Sequence, residues 1–514
     1  MMARIILGRR HHFDWRCVVA VLSITVAAVL MMQHLEANDQ GLDDRSETKQ
    51  HVMPLETARP LPEPRDDSWL IYGAFWDRRS VVNGRSAGNT ELTILALSKC
   101  RSRKEYPTAS FTVDNATYRL KLDGYPIEDD KCPWPWAPGC EWNTFQLFRP
   151  IPSWLAEKIA DQDVDVTFTF LDRAVTMVPR WSPASYAPKS LSVCIPPLYW
   201  YLPDSDEPGK RRVARKRYHD WRRLIHFIAA WRAQGASHFN FYFNSATHDV
   251  WRVLQHYEKT GWATITPWPD FPSSDSVDPN ESTYRLAHSM AANDCALKAR
   301  TEFVAYLDVD EFVLFTDTSI NMINWLAMQP PHKGAFSFKH HQLFFDSHVA
   351  TRLLHPGAVQ HPSEFRRAIV APVFGPRKVI YRAGAVKTDI THWVRKYQKG
   401  YTSLHIDERI GYLGHARWKF NKRTVNATKR EVFSAHQTVE IAHEMDSVMA
   451  TVFDNSHGLP IYDGDKINAA VDVCAEKWRK STMSCKVPMR RCTETLWPLA
   501  DWYFDEHDWL YTIL

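Results

Sequence analysis

Residues 303–315 read FVAYLDVDEFVLF, an apolar run that leads directly into three carboxylates, Asp308, Asp310 and Glu311. On an extended chain, side chains two positions apart share a face. Asp308 and Asp310 are therefore expected to converge on one point, with Glu311 aimed elsewhere to orient a neighbouring backbone or basic group. Hard carboxylate oxygens suit Mg²⁺ or Mn²⁺, ions often shared with substrate phosphates. Three carboxylates at the end of an apolar strand repel one another, which costs stability without a counter-ion. A metal bridging a diphosphate relieves that repulsion and stabilises a departing nucleoside diphosphate, the electrostatic requirement of glycosyl transfer. An isolated D-x-D is ordinarily a polar turn; the apolar strand before it gives this one chemical meaning.

Other residues could join such a centre. His392 in ITHWV and His415 in GHAR are candidates to complete a metal site or hold a phosphate, against the alternative of a satisfied structural histidine. Arg377 and Lys378 could neutralise diphosphate charge, or lie on a solvated edge strand. Asn293 lies on the segment before the metal motif, where it could reach a donor or simply face solvent. Asp346 and Glu364, downstream of the motif, are candidates for the base that deprotonates an acceptor hydroxyl, or structural carboxylates.

The elements that must position these groups follow from periodicity. LSVCIPPL from Leu191 is a strand ended by proline. Trp221, Leu224, Ile225, Ile228 and Trp231 share one face of a helix over 218–234, stopped by Gly235. A strand over 238–243 follows, then a helix marked by Val250, Leu254 and Tyr257, then a strand over 263–268. This alternation predicts a parallel α/β sheet, whose ligands bind at the carboxyl ends of its strands. Residues 285–300 predict a further helix, with a face of small residues (Ala287, Ala291, Ala292, Cys295, Ala299) suited to close packing on a sheet. Upstream, 67–188 is a small β-rich domain of short strands divided by Pro, Gly and Asp. Downstream, 431–449 has a helical pattern and the aromatic C-terminus is expected to dock on the body.

The chain has 514 residues and a formal charge of +4, too slight to argue for nucleic-acid binding. Residues 17–32 carry no charge, with Arg4, Arg9, Arg10 and Arg16 before them and Glu36, Asp39, Asp43 and Asp44 after. The expectation is a cytoplasmic tail (1–16), a retained signal anchor (17–35) and a flexible luminal stem (36–66), the rival being a cleaved signal peptide. The short span suits the thinner early secretory membranes, and the expected location is the Golgi membrane, single-pass type II. Eight of the nine cysteines lie beyond the anchor and read as disulfides, with CPWPWAPGC (132–140) a loop that one could clip. Sequons at Asn115, Asn280 and Asn426 fit a luminal chain.

CIPPLYW, FNFYFNS, YEKTGWATITPW, NDCALKARTEFVAYLDVDEF, THWV and GHAR, in this order, resemble glycosyltransferase family 92 over roughly 191–429. IYGAFWDRR resembles that family's upstream aliphatic-S-A-x-x-D-x-R element. The resemblance implies a GT-A-like Rossmann-type catalytic domain (189–430); the helical pattern and late cysteines beyond it read as an extension (431–514) bearing a helix and disulfides. It also implies an inverting β-1,4-galactosyltransferase that uses UDP-galactose, with fucose of N-glycan cores as acceptor. Asp308 and Asp310 then match the metal motif, His415 and Arg417 the late H-Y-R element, and His392 an earlier lone histidine. Ala416 replaces the family tyrosine, Gly73 replaces the upstream serine, and Asp77 and Arg78 are retained. The expected partners are Mn²⁺ or Mg²⁺, a UDP-sugar donor and a glycan or glycoprotein acceptor. The alternatives are a luminal transferase using another UDP-sugar and an inactive glycan-binding relative.

Overall fold

Four parallel strands carry the centre of the fold: Ala187–Leu198, His238–Phe243, Ala263–Pro267 and Thr301–Tyr306. In this computed structural model the described residues are 62–79, 81–82, 85–86, 90–100, 105–135, 137–160, 162–199, 221–345, 366–372, 375–416, 427–453, 470, 473, 485, 496–505 and 510–514. The expected anchor lies outside them. Among the described residues no helix is long and apolar enough to cross a membrane.

Across the sheet the parallel strands run in the order Ala263–Pro267, His238–Phe243, Ala187–Leu198, Thr301–Tyr306. Lys378–Arg382 and Lys333–Phe338 extend it antiparallel, and Thr402–His405 closes its edge. The strands are apolar on both faces because both are covered. Val193, Ile195, Phe239, Phe241, Phe303 and Ala305 share a core with the helices Trp221–Ala233 and His248–Lys259. Their neighbours Cys194, Tyr242, Val304 and Tyr306 share another with the helix His288–Lys298. Gly235, at φ +99°, ends the first helix; a Cβ there would lie 2.7 Å from Ile323.

The small-faced helix starts three residues later than its pattern predicts. Arg285, Leu286 and Ala287 adopt left-handed backbone, at φ 46°, 50° and 57°. Each costs about 1–3 kcal/mol for a residue with a side chain. Cys295 on this helix is disulfide-bonded to Cys194, which fixes it against the central strand.

Upstream, Trp69–Asp77, Glu91–Lys99, Trp142–Pro150 and Asp123–Pro126 form one antiparallel sheet, with Arg180–Trp181 added parallel at its edge. Thr108–Val113, Ala116–Lys121, Val166–Phe170 and Arg173–Met177 form a second. The C-terminus docks on both parts: Thr512–Ile513 pairs with Trp69–Asp77, and Trp502–Phe504 pairs with Ser245–Thr247 beside the central sheet.

The disulfides correct one expectation. Cys132 and Cys140 do not clip a common loop; Cys132 pairs with Cys100, and Cys140 with Cys485 across 345 positions. The second bond ties a late cysteine to the β-rich part. Cys474 and Cys492 lie outside the described residues. Asn280 is also unlike a glycan acceptor. It is buried, accepts from the Phe271 amide at 2.8 Å and donates to the Phe271 carbonyl at 2.8 Å. Asn115 is exposed in a turn, and Asn426 is outside the described residues.

Candidate active site

In the central sheet the strand order reverses between Ala187–Leu198 and Thr301–Tyr306, the place where open α/β sheets form a ligand crevice at their carboxyl ends. The D-x-D segment follows from the second of these strands. Asp308 and Asp310 do not lie on an extended strand. The strand ends at Tyr306 and the next, Glu311–Phe315, begins after a turn closed by the Glu311 amide donating to the Asp308 carbonyl at 3.0 Å. Strand alternation therefore does not set the directions of Asp308 and Asp310; the turn does.

That turn also passes the chain into a second, five-stranded sheet: Glu311–Phe315, Gly411–Ala416, His340–Phe345, Arg367–Pro372 and Thr428–Glu431. Register places His415 opposite Glu311, and the Ala416 amide donates to the Asp310 carbonyl at 2.8 Å. The His415 imidazole consequently stands against the motif. Its Nε2 is 3.1 Å from Asp310 Oδ2, and its Nδ1 is 3.1 Å from His340 Nε2. Asp310, His415 and His340 are all buried.

Asp308, with its side chain 19% exposed, faces a cation supplied by the protein. Lys378 Nζ lies 3.7 Å from Asp308 Oδ2 and 3.0 Å from Glu311 Oε2. The same Glu311 oxygen accepts from the Asp308 amide at 3.0 Å. Burial pushes the Glu311 carboxyl up, and Lys378 partly offsets this. The repulsion inferred from the sequence thus has an answer within the chain, the buried Lys378. Its ammonium is committed to these carboxylates rather than presented as a free phosphate contact.

The fit of a divalent cation rests on the donors present. Asp310 and His415 offer a carboxylate oxygen and an imidazole nitrogen side by side, chemistry that suits Mn²⁺. Among the described residues no group of three His, Cys, Asp or Glu is gathered around a single metal position. Asp308 leans to Lys378 instead.

His392 lies between the strands of the hairpin Val386–Asp389 and Val394–Tyr397, within electrostatic reach of Lys378 and Asp308. Burial, reinforced by Lys378, pushes its imidazole down to about 3, so it is neutral near pH 7. Its neighbour Trp393 is 55% exposed. Asn293 holds this hairpin. Its amide donates to the Ser289 and Asp389 carbonyls, both at 2.7 Å, and accepts from the Asp389 amide at 2.9 Å. It is buried, neither surface-exposed nor open to a donor. Arg377 is half-buried and donates to the Ser337 carbonyl at 3.4 Å. Asp346, Glu364 and Arg417 lie outside the described residues.

Two residues of the neighbourhood escaped sequence reasoning. His340 had no motif to mark it. Glu128 comes from the β-rich part, in the segment after Asp123–Pro126. Its Oε1 is 3.3 Å from His288 Nε2, which also bonds the Thr391 hydroxyl. Arg395 grips the Pro126 and Ile127 carbonyls and pairs with Asp130, clamping this segment to the hairpin. Burial pushes Glu128 up to about 7, against the pull of Ser289, Arg285 and Arg395. Upstream, the buried ion pair of the D-x-R element joins Asp77 to Arg79 at 2.8 Å, not to Arg78.

Residues 215–449 match the family model of Glycosyltransferase family 92. A Glycosyltransferase family 92 protein of Caenorhabditis elegans is 22% identical over 284 residues, 52% of this chain and 48% of the relative. A second protein of that family from the same organism is 25% identical over 140 residues, 26% of this chain and 24% of the relative. The chain thus spans about half the length of the first of these curated relatives and about a quarter of the second. A solved amylomaltase from Corynebacterium glutamicum, 11% identical over 37% of this chain and 22% of its own, has a TM-score of 0.13, too low to bear on the fold. The family model and both nematode relatives thus place the resemblance of this chain with glycosyltransferase family 92.

Proposed function

We propose that this chain is a metal-dependent, inverting glycosyltransferase with a GT-A-like catalytic fold, which transfers galactose from UDP-galactose to a glycan. On this reading the acceptor is fucose of an N-glycan core, and the enzyme works in the Golgi lumen behind a single N-terminal anchor. The carrying observation is the Asp310–His415 pair at the carboxyl end of the strand where the sheet order reverses, with Asp308 in the same turn.

Asp310 and His415, with Asp308, would hold Mn²⁺ or Mg²⁺, which supplies Lewis-acid stabilisation of the departing diphosphate. Lys378 and Glu311 fix the turn that presents Asp308. On this reading His392, neutral near pH 7, Arg377 and Arg417 contact the donor. Asn293 acts through the hairpin it holds. A carboxylate base, Asp346 or Glu364, takes the proton of the acceptor hydroxyl. The freed oxygen attacks the anomeric carbon opposite the leaving group, which inverts that centre.

The test is a panel of UDP-sugars with an N-glycan acceptor library, with and without Mn²⁺. Turnover is expected with UDP-galactose, abolished by chelation and in a folded Asp310→Ala protein. Unchanged turnover in Asp310→Ala would reject the metal assignment. Preference for another UDP-sugar would reject galactose, and absence of turnover with every donor would leave an inactive glycan-binding relative.

A further inference from the structure

A concave surface lies at the end of the Thr301–Tyr306 strand away from the D-x-D turn. It is a groove of about 570 Å³ between the edge of the β-rich sheet and the base of the central sheet, lined in part by Phe75, Arg78, Arg180, Trp181, Lys298 and Arg300. Arg300 directly precedes the strand and Asp308 closely follows it. At about 3.3 Å per extended residue the groove and the candidate active site are roughly 25 Å apart.

The lining contains four cations and no carboxylate. Among the described residues no carboxylate pairs with Arg78, Arg180 or Arg300; Lys298 pairs with Asp294 at 2.7 Å. Arg78 is pre-positioned. Its Nε donates to the Ser182 carbonyl at 2.9 Å, its amide to the Ser182 hydroxyl at 2.9 Å, and its guanidinium lies 5.0 Å from the centre of the Trp181 ring. The pairing of Arg180–Trp181 with the end of Trp69–Asp77 fixes this wall, setting Phe75 opposite Arg180. Arg180 and Arg300 are exposed at the rim.

Guanidinium forks without carboxylate partners match planar oxyanions, which they bind through paired hydrogen bonds. A bare inorganic ion would neither fill a groove of this volume nor use its Trp181 wall. A sugar-sized ligand would, since small-molecule sites span roughly 300–1,000 Å³.

We propose that this groove binds an anionic saccharide, a sugar ring carrying a carboxylate, sulfate or phosphate, at a site separate from the candidate active site. The reading is independent of the function proposed above.

Calorimetry on the full chain tests it, with a sulfated heparin-type disaccharide, a glucuronyl disaccharide, glucose 6-phosphate, uncharged lactose and inorganic phosphate as probes. At least one charged sugar should bind at least tenfold more tightly than lactose and inorganic phosphate, and weaken as salt is raised. Whichever probe binds best identifies the acidic group as sulfate, carboxylate or phosphate. Arg180→Ala combined with Arg300→Ala should weaken it at least tenfold. Ser185→Glu, which adds a negative charge at the exposed rim, should do the same if the double variant fails to fold. UDP-sugar turnover should be unchanged in these variants. The proposal fails if no charged sugar binds, if lactose or inorganic phosphate binds as tightly, or if a folded variant binds as the native chain does.

Discussion

The ammonium of Lys378 lies 3.0 Å from the Glu311 carboxylate, with both side chains at most 5% exposed. The pair sits directly beneath the D-x-D turn and holds it through the Asp308 amide. Removing one partner strands a buried charge, which typically costs about 3–5 kcal/mol, whereas removing both costs much less. Lys378→Met is therefore expected to lower the urea midpoint strongly, and Lys378→Met with Glu311→Gln to recover most of the loss. A double variant no more stable than Lys378→Met alone would show that the two groups do not act as a pair.

His340 contacts the second nitrogen of His415, and outer partners of this kind orient metal-binding imidazoles. His340→Ala is expected to weaken Mn²⁺ activation roughly 10- to 100-fold while leaving the fold intact. Gly375 gives an independent approach. A Cβ on it would fall 2.0 Å from His340 Nδ1, so Gly375→Ala should displace the ring and reproduce the loss. The measurement is the Mn²⁺ concentration for half-maximal turnover. A native value in both variants would remove His340 from the site.

The Cys140–Cys485 bond joins the β-rich part to a segment 345 positions later. Bonds that close long loops contribute about 2–5 kcal/mol, mainly by restricting the unfolded chain. Cys140→Ser should thus lower the thermal midpoint and open the C-terminal segment to proteolysis. Cys100→Ser, which opens a loop of 32 positions, should cost less. Equal losses would contradict the loop-length account.

Periodicity made the parallel strands legible. His238–Phe243 matches its expected bounds, because strands buried on both faces must be continuously apolar. The D-x-D segment was conspicuous for the same reason, as polar residues at the end of such a strand. Its geometry was not legible, since the turn at 308–310 depends on Lys378 and Glu311, and Lys378 arrives from a strand some seventy residues later. The left-handed run at Arg285–Ala287 was equally hidden, because no glycine marks it and helical periodicity continues through it. His340 and Glu128 were missed for a further reason. Each meets the candidate site only through a long-range neighbour, His415 and His288, and local sequence carries no trace of such contacts.

Glu128 supplies a pH dependence whose sign can be worked out. Its carboxyl is pushed up to about 7 by burial, from 4.5. The native state therefore holds its proton more tightly than the unfolded chain. The associated stability is fully present below pH 4.5, and is lost as the pH rises towards 7. The groups facing it are His288, Ser289, Arg285, Arg395 and Asp129, contributed by the left-handed turn and the helix after it, the hairpin and its own segment. A shift of this size corresponds to about 3 kcal/mol. The neutral buried histidines oppose it: His226 and His392, both pushed down to about 3, add stability as the pH rises to 6.5. The difference between two proteins isolates Glu128. In urea titrations at pH 4 and pH 8, Glu128→Gln should match the native chain at the lower pH. It should be the more stable of the two at the higher pH, because it keeps a neutral side chain there. A constant offset at both pH values would mean that Glu128 does not change protonation within this window.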